Sequence, residues 1–279
     1  MIPKTIHFIF GLGKPGDPRW TPFGLIQYLA VKSAAWRNQD CQIIIHIPGD
    51  VANKSPVCTS YWERALALPN VCWRGIEPIE KIHGRPLRRF QHKSDVRRLQ
   101  ILSACGGVYL DSDTITLRKF PDEFWNEHRV IMGQEMEIGK VGSVGLCNAV
   151  IFAPRSHPFI YLWFEGYRDF DPKEWNEHSV QLPLQLATSD QVRVLNPYAF
   201  FWPTCKEPAV MFKTNLRLID QYVVHLWSSA WHATYLNDIT ESSILNHPDL
   251  NTFNRIASEV LHATREVISE DGSIARTMF

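Results

Sequence analysis

The chain has 279 residues, 45% of them hydrophobic, with Lys+Arg and Asp+Glu balanced at 29 each. That length and composition suit a single α/β domain over residues 1–279 with a sizeable core. Zero formal charge leaves no global field to recruit nucleic acid or an anionic membrane.

"KTIHFIF", residues 4–10, is a β-branched and aromatic run that predicts a first strand, closed by the Gly/Pro loop "GLGKPGDP". "TPFGLIQYLAVKSAAWRNQ" predicts a helix with Thr21 as N-cap and Pro22 at the first helical position. "CQIIIHIPGD" reads as a strand covered on both faces. A helix around "SYWERALAL" and a strand around "NVCWRGI" continue an alternation that predicts a mostly parallel sheet. Beyond about residue 120 the pattern loosens into loops and short strands. At the end of the chain an amphipathic helix is expected over 251–269. Phe253, Ile256, Ala257, Val260, Leu261, Thr264, Val267 and Ile268 would share its apolar face.

Six cysteines, Cys41, Cys58, Cys72, Cys105, Cys147 and Cys205, form no C-x-x-C pair. Zinc-ribbon and thioredoxin chemistry are therefore not suggested, and reduced thiols in a cytoplasmic protein are expected. The N-terminal apolar run is short and broken by His7, unlike a signal peptide. No stretch approaches the ~20 apolar residues of a transmembrane segment.

The chemistry concentrates in "HKSDVRRLQILSACGGVYLDSD", residues 92–113. Ser94 can cap a helix running to about Cys105, stopped by Gly106 and Gly107. Asp95 and Arg98, three apart, share a face of that helix. "VYLDSD" follows as a strand. Val108 and Leu110 point one way, and Tyr109, Asp111 and, if the strand persists, Asp113 point the other. Two carboxylates at the C-terminal end of a strand lie where open α/β sheets bind ligands. They repel unless solvated, sharing a proton or holding a cation, and oxygen ligands select Mg²⁺ or Mn²⁺. An isolated Asp-x-Asp is common in surface turns, and an Asp–Arg pair at this spacing is common on surface helices. The combination of helix, Gly-Gly, apolar strand and paired aspartates is harder to read so.

This run resembles the sugar-binding Asp-x-Asp region of glycosyltransferase family 32 and its relatives, the mannosyl-, galactosyl- and capsule-synthesis transferases. That pattern is Ser-Asp, two residues, Arg, then Gly-Gly-x-Tyr-x-Asp-x-Asp, and every residue of it is present. "IPKTIHFIF" resembles the family's opening, with Phe10 where Trp is usual. "GLCNAVIFAPRSHPF" and "HLWSSAW" resemble its later segments. The resemblance implies a GT-A-type fold and retaining transfer from a nucleotide-diphosphate sugar, expected to be a UDP sugar. The acceptor would be a glycan, lipid-linked glycan or other hydroxyl, in bacterial surface polysaccharide synthesis.

The resemblance also implies residue roles. Asp113 would ligate Mn²⁺ or Mg²⁺ directly, and Asp111 would touch the ribose or the metal. Asp95 and Arg98 would hold the donor sugar, Tyr109 would line the nucleotide pocket, and the Phe10 ring would stack near the nucleotide base. Asn148 would reach the sugar, or else satisfy backbone at a strand end. His225, Ser229 and Trp231 would close over the diphosphate, with His225 a third metal ligand, against plain core packing for His225 and Trp231. The basic run "HGRPLRRFQHK" suggests phosphate contacts, peripheral membrane association, or merely a solvated face. Two rival functions use the same aspartates: a metal-dependent nucleotidyl- or phosphotransferase, and an inactive sugar-nucleotide-binding domain.

Overall fold

The computed structural model describes residues 1–13, 22–49, 59–136, 143–268 and 274–278. Thr21, the expected helix cap, and Cys58 lie outside the described residues, as does most of the Gly/Pro loop after the first strand.

Strand β1 (Thr5–Ile9) pairs in parallel with β2 (Gln42–Pro48), which pairs in parallel with β3 (Val71–Ile76). Between them lie helices α1 (Leu25–Arg37) and α2 (Ser60–Leu66). Helix α1 starts three residues later than the sequence predicts, with Gly24 as N-cap and the Gln27 side chain accepting from its N–H. A two-residue-strand hairpin, β4 (Lys81–Ile82) and β5 (Arg85–Pro86), leads into α3 (Phe90–Cys105). Strand β6 (Gly107–Leu110) then lies parallel to β1 on the side opposite β2.

The rest of the sheet departs from the expected loops. After β7 (Thr114–Thr116) and α4 (Asp122–Trp125) come β8 (Val130–Met136) and β9 (Ser143–Ala153). Strand β9 has eleven residues and sits inside the sheet, antiparallel to both β6 and β8. Its nearly unbroken apolar stretch, Ala149 to Ala153, is fully covered and marks a strand with no solvent face. After α5 (Pro158–Glu165), β10 (Val192–Leu195) adds in parallel to β8. The order is β10-β8-β9-β6-β1-β2-β3, mixed but mostly parallel.

Side-chain alternation divides the core. Ile6, Phe8, Val108 and Leu110 face one apolar cluster, with α1 and the C-terminal helix. Ile9 and Tyr109 face the other, with α3 and α5. That C-terminal helix spans Thr252–Leu261, shorter than the expected 251–269. The Leu261 carbonyl accepts from buried Lys32 Nζ at 2.9 Å. Residues Thr264–Ile268 instead form β12, antiparallel to β13 (Ile274–Met278). Their Thr, Val and Ile content favours a strand over a continued helix.

The described cysteines Cys41, Cys72, Cys105 and Cys147 are free thiols. Among the described residues no helix is long and apolar enough to cross a membrane. The basic run is dispersed: Lys93 pairs with Glu80 at 2.8 Å, Arg97 donates to the Glu77 carbonyl, and Arg85 donates to the Arg168 carbonyl at 2.7 Å.

Candidate active site

The Gly-Gly corner fixes the site. Gly106 (φ +66°) caps α3 and Gly107 (φ +102°) opens β6, both in conformations that L side chains resist. A Cβ on Gly107 would meet the Thr5 carbonyl oxygen at 2.5 Å and His7 Nε2 at 3.1 Å. His7 Nε2 lies 3.0 Å from the Gly106 carbonyl, and its Nδ1 lies 3.0 Å from His46 Nε2. A carbonyl only accepts, so His7 donates through Nε2 and receives the His46 Nε2–H at Nδ1. Burial holds both rings neutral, His7 down to about 4 and His46 to about 3. This clasp anchors the corner to β1 and β2.

Beyond Leu110 the strand does not persist to Asp113. The chain turns, with Thr114 N–H on the Asp111 carbonyl at 3.1 Å. The second aspartate is aimed by β11 (Val223–His225), which pairs antiparallel with β7 and sets His225 opposite Thr114. His225 Nε2 stands 3.2 Å from Asp113 Oδ1, and the Ser228 N–H donates to Asp113 Oδ2 at 2.8 Å. Burial pulls the Asp113 carboxyl upward, but the His225 ring and the Ser228 N–H hold it down at about 2. Burial opposes charge on His225, yet Asp113 and then Asp111 and Glu135 raise its pKa.

Arg98 ties the other side together. Ser94 lies inside α3, not at its start, because the helix begins at Phe90 with Arg89 as N-cap. Its Oγ therefore joins a network: Arg98 Nη2 reaches Ser94 Oγ at 3.2 Å, Ser94 Oγ meets Tyr109 OH at 3.1 Å, and Tyr109 OH donates to Asp111 Oδ1 at 2.7 Å. Arg98 Nη2 also lies 3.1 Å from Asp95 and 3.2 Å from Asp111, and Nη1 donates to the Asn148 carbonyl at 2.7 Å. The guanidinium sits 4.4 Å from the Tyr109 ring centroid. Asn148 Nδ2 donates to Asp95 Oδ1 at 2.8 Å. Arg98 is 3% exposed and Asp95 8%, so this is no surface helix pair. Burial pushes Asp95 up to about 6, against the pull of Arg98 and Asn148.

These groups line one cavity of about 900 Å³, together with Phe10, Trp227, Ser228 and Ser229. Phe10 packs edge-on against Phe23 at 5.2 Å. Trp231 is corrected to a core residue. "HLWSSAW" is not extended but closes into a helical turn, Ser228–Trp231. Trp231 is 2% exposed, donates Nε1–H to the Cys205 carbonyl at 2.8 Å and does not line the cavity. The sequence reading missed Glu135 on β8, opposite Gly145, Cys147 on β9, opposite Gly133, and Trp227, 4.2 Å from the His225 ring. It also missed His92 and Trp175 on the same cavity. Glu135 and Trp175 carry no local pattern that would have flagged them; His92 stands within the motif run itself.

Asp111, Asp113 and His225 each offer one ligand atom, all within 4.8 Å of one another. Two carboxylates and an imidazole suit a divalent cation of the Mn²⁺ or Mg²⁺ kind, the imidazole favouring Mn²⁺. His225 Nδ1 is buried without a partner. The residues present fit such an ion.

A mostly parallel α/β sheet that delivers an Asp-x-Asp turn and a buried Arg–Asp pair to one cavity defines a glycosyltransferase of the GT-A type. Residues 74–132 match the family model described as a glycosyltransferase sugar-binding region containing the DXD motif. The chain is 31% identical over 272 residues to glucan organizing enzyme 1 of the fungus Cryptococcus neoformans, covering 92% of this chain and 70% of that protein. It belongs to this family of DXD-containing glycosyltransferases. Among solved structures it resembles the glycosyltransferase GlyE of Streptococcus pneumoniae, with TM-score 0.52, 13% identity, and coverage of 93% of this chain and 60% of that one. The galactosyltransferase LgtC, solved with donor and acceptor sugar analogues, gives TM-score 0.45 at 14% identity, over 85% of this chain and 98% of that one.

Proposed function

We propose that the chain transfers a hexosyl group from a nucleotide-diphosphate sugar, a UDP sugar by preference, to a glycan hydroxyl. The observation that carries this reading is the convergence of Asp111, Asp113 and His225 with the Arg98–Asp95 pair on one cavity. A divalent ion bound there would neutralise charge that grows on the diphosphate. Arg98 and Asp95 hold the sugar, Phe10 lies against the base, and the Ser228–Ser229 turn closes over the phosphates. Transfer retains configuration: the bond from C1 to the β-phosphate oxygen breaks with its electron pair on that oxygen. The acceptor oxygen bonds to C1 from the same face, and its proton passes to the departing phosphate.

Glu135, the fourth carboxylate on the cavity after Asp95, Asp111 and Asp113, favours a second route. Its oxygen would bond to C1 as the β-phosphate oxygen leaves with the bonding pair; the acceptor oxygen would then bond to C1, the C1–Oε pair returning to Glu135 and the acceptor proton passing to the departed diphosphate. A glycosyl adduct detected by mass spectrometry on Glu135, absent in Glu135→Gln, would select this route.

The acceptor class we put forward is a surface polysaccharide or its lipid-linked precursor. The name of the fungal relative supports a glucan over a bacterial capsule. The test is a panel of UDP- and GDP-sugars with Mn²⁺, scoring nucleotide release to water. Release of UDP or GDP names the donor. Release of a sugar 1-phosphate with the nucleoside monophosphate would select nucleotidyl transfer, and tight nucleotide binding without turnover would select an inactive binding domain.

A further inference from the structure

We infer that His92 and Trp175 form a recognition site for the edge of a pyranose ring, on the cavity side away from the Asp111–Asp113–His225 cluster. The inference rests on the glycosyltransferase reading and deepens it. His92 is 2% exposed and lines the cavity, yet neither of its ring nitrogens has a hydrogen-bond partner. Buried polar groups are nearly always paired, and leaving one unpaired is costly. The ring is nevertheless held in place. Phe170 packs edge-on at 5.0 Å, and Trp175 lies at 6.0 Å with an interplanar angle of 51°. Aromatic packing fixes the imidazole and leaves its polar atoms for a ligand.

Position along α3 indicates which part of a ligand. His92 and Asp95 are three apart, as are Asp95 and Arg98, so all three lie along one side of the helix. At a rise of about 1.5 Å per residue, His92 stands roughly 9 Å along the axis from Arg98. Arg98 contacts Asp111, at the cluster end. A hexose with its anomeric carbon near that cluster, gripped by Arg98 and Asp95, therefore ends beside His92.

The chemistry suits a neutral hydroxylated ligand. Burial and the nearby Arg89 keep the imidazole uncharged, with a pKa down to about 4. A neutral imidazole offers one N–H donor and one nitrogen acceptor, which matches a pair of neighbouring sugar hydroxyls and not a phosphate. Trp175 is 43% exposed on the same cavity and presents the flat apolar surface on which a pyranose C–H face packs. Arg89 lies 5.3 Å from the Trp175 ring centroid and steadies it.

The test compares wild type with His92→Phe, which keeps the ring packing and deletes both polar atoms. The thermal midpoint should be at or above the wild-type value, and UDP affinity should stay at the wild-type value. Hydrolysis of the accepted UDP-sugar should lose roughly ten- to a hundredfold in kcat/KM, with weaker discrimination between UDP-glucose and UDP-galactose. A loss in hydrolysis assigns the site to the donor sugar. Normal hydrolysis with impaired transfer to a glycan assigns it to the acceptor sugar. If His92→Phe fails to fold, His92→Gln is measured in the same way. A folded variant with wild-type hydrolysis, transfer and epimer preference overturns the inference. Should wild type turn over no nucleotide sugar, the glycosyltransferase reading fails by itself. Saturation-transfer NMR with free glucose and galactose then decides this site. A signal in wild type lost in His92→Phe supports it, and equal or absent signals in both overturn it.

Discussion

His225 Nε2 meets Asp113 Oδ1 at 3.2 Å because β11 pairs with β7 immediately after the Asp-x-Asp turn. The pairing supplies the oxygen-rich turn with a nitrogen donor from the far end of the chain, and the Leu226 N–H on the Asp113 carbonyl at 2.8 Å locks the register. His225→Ala should weaken Mn²⁺ binding more than Mg²⁺ binding, since imidazole suits the softer ion. Isothermal titration with each metal checks this. Equal weakening, or none, would leave His225 as a partner of Asp113 only.

Arg98 contacts Asp95, Asp111 and the Asn148 carbonyl at once, so its substitution reaches beyond the sugar. A lysine would supply a single point charge in place of a planar fork. Arg98→Lys should lower stability by roughly 3–5 kcal/mol, the cost of under-pairing buried charges. It should weaken metal-dependent UDP binding as well as donor-sugar binding. A urea midpoint and a UDP titration near wild type would show that Arg98 serves the sugar alone.

Trp231→Phe keeps the ring but removes the hydrogen bond to the Cys205 carbonyl. Stability should fall by about 1 kcal/mol, with UDP affinity and turnover unchanged. A selective fall in turnover at normal stability would return Trp231 to the site. By contrast, Gly107→Ala should cost roughly 2–5 kcal/mol through a strained φ and the approach to Thr5 and His7. Thermal denaturation of the two variants side by side reads the difference.

The motif's local parts were legible because their causes are local. The two glycines stop α3, alternation sends Tyr109 away from Val108 and Leu110, and the i, i+3 spacing joins Asp95 to Arg98. What sequence could not show depends on distant pairing. "HLWSSAW" curls into a helix after β11, which buries Trp231 and turns the Ser228 N–H to Asp113. The C-terminal helix ends early where Lys32, from α1, takes the Leu261 carbonyl. The eleven-residue β9 was hidden because an apolar run in the middle of a sheet lacks the alternation that marks a half-exposed strand.

The His7–His46 clasp makes stability sensitive to acid. Both rings are held neutral in the fold, with pKa values near 4 and 3, against about 6.5 when unfolded. Below pH 6.5 the unfolded chain takes up protons that the fold refuses. Their stabilisation is thus fully present above about pH 6.5 and is lost as pH falls toward 4. At pH 5 the loss through His7 is about 2 kcal/mol. Urea midpoints at pH 7.5 and 5.0 test this, and a smaller acid loss in His46→Gln would assign it to the pair.

The central claim is that Asp111, Asp113 and His225 join a divalent ion to a nucleotide diphosphate. The most direct measurement is a calorimetric titration of UDP into wild type and Asp113→Asn, each with Mn²⁺ and with a chelator. Wild type should bind UDP tightly only with Mn²⁺. Asp113→Asn should lose most of that metal-dependent gain while unfolding at a midpoint near that of wild type. UDP binding that is equally tight with chelator, or unchanged in Asp113→Asn, would contradict the account.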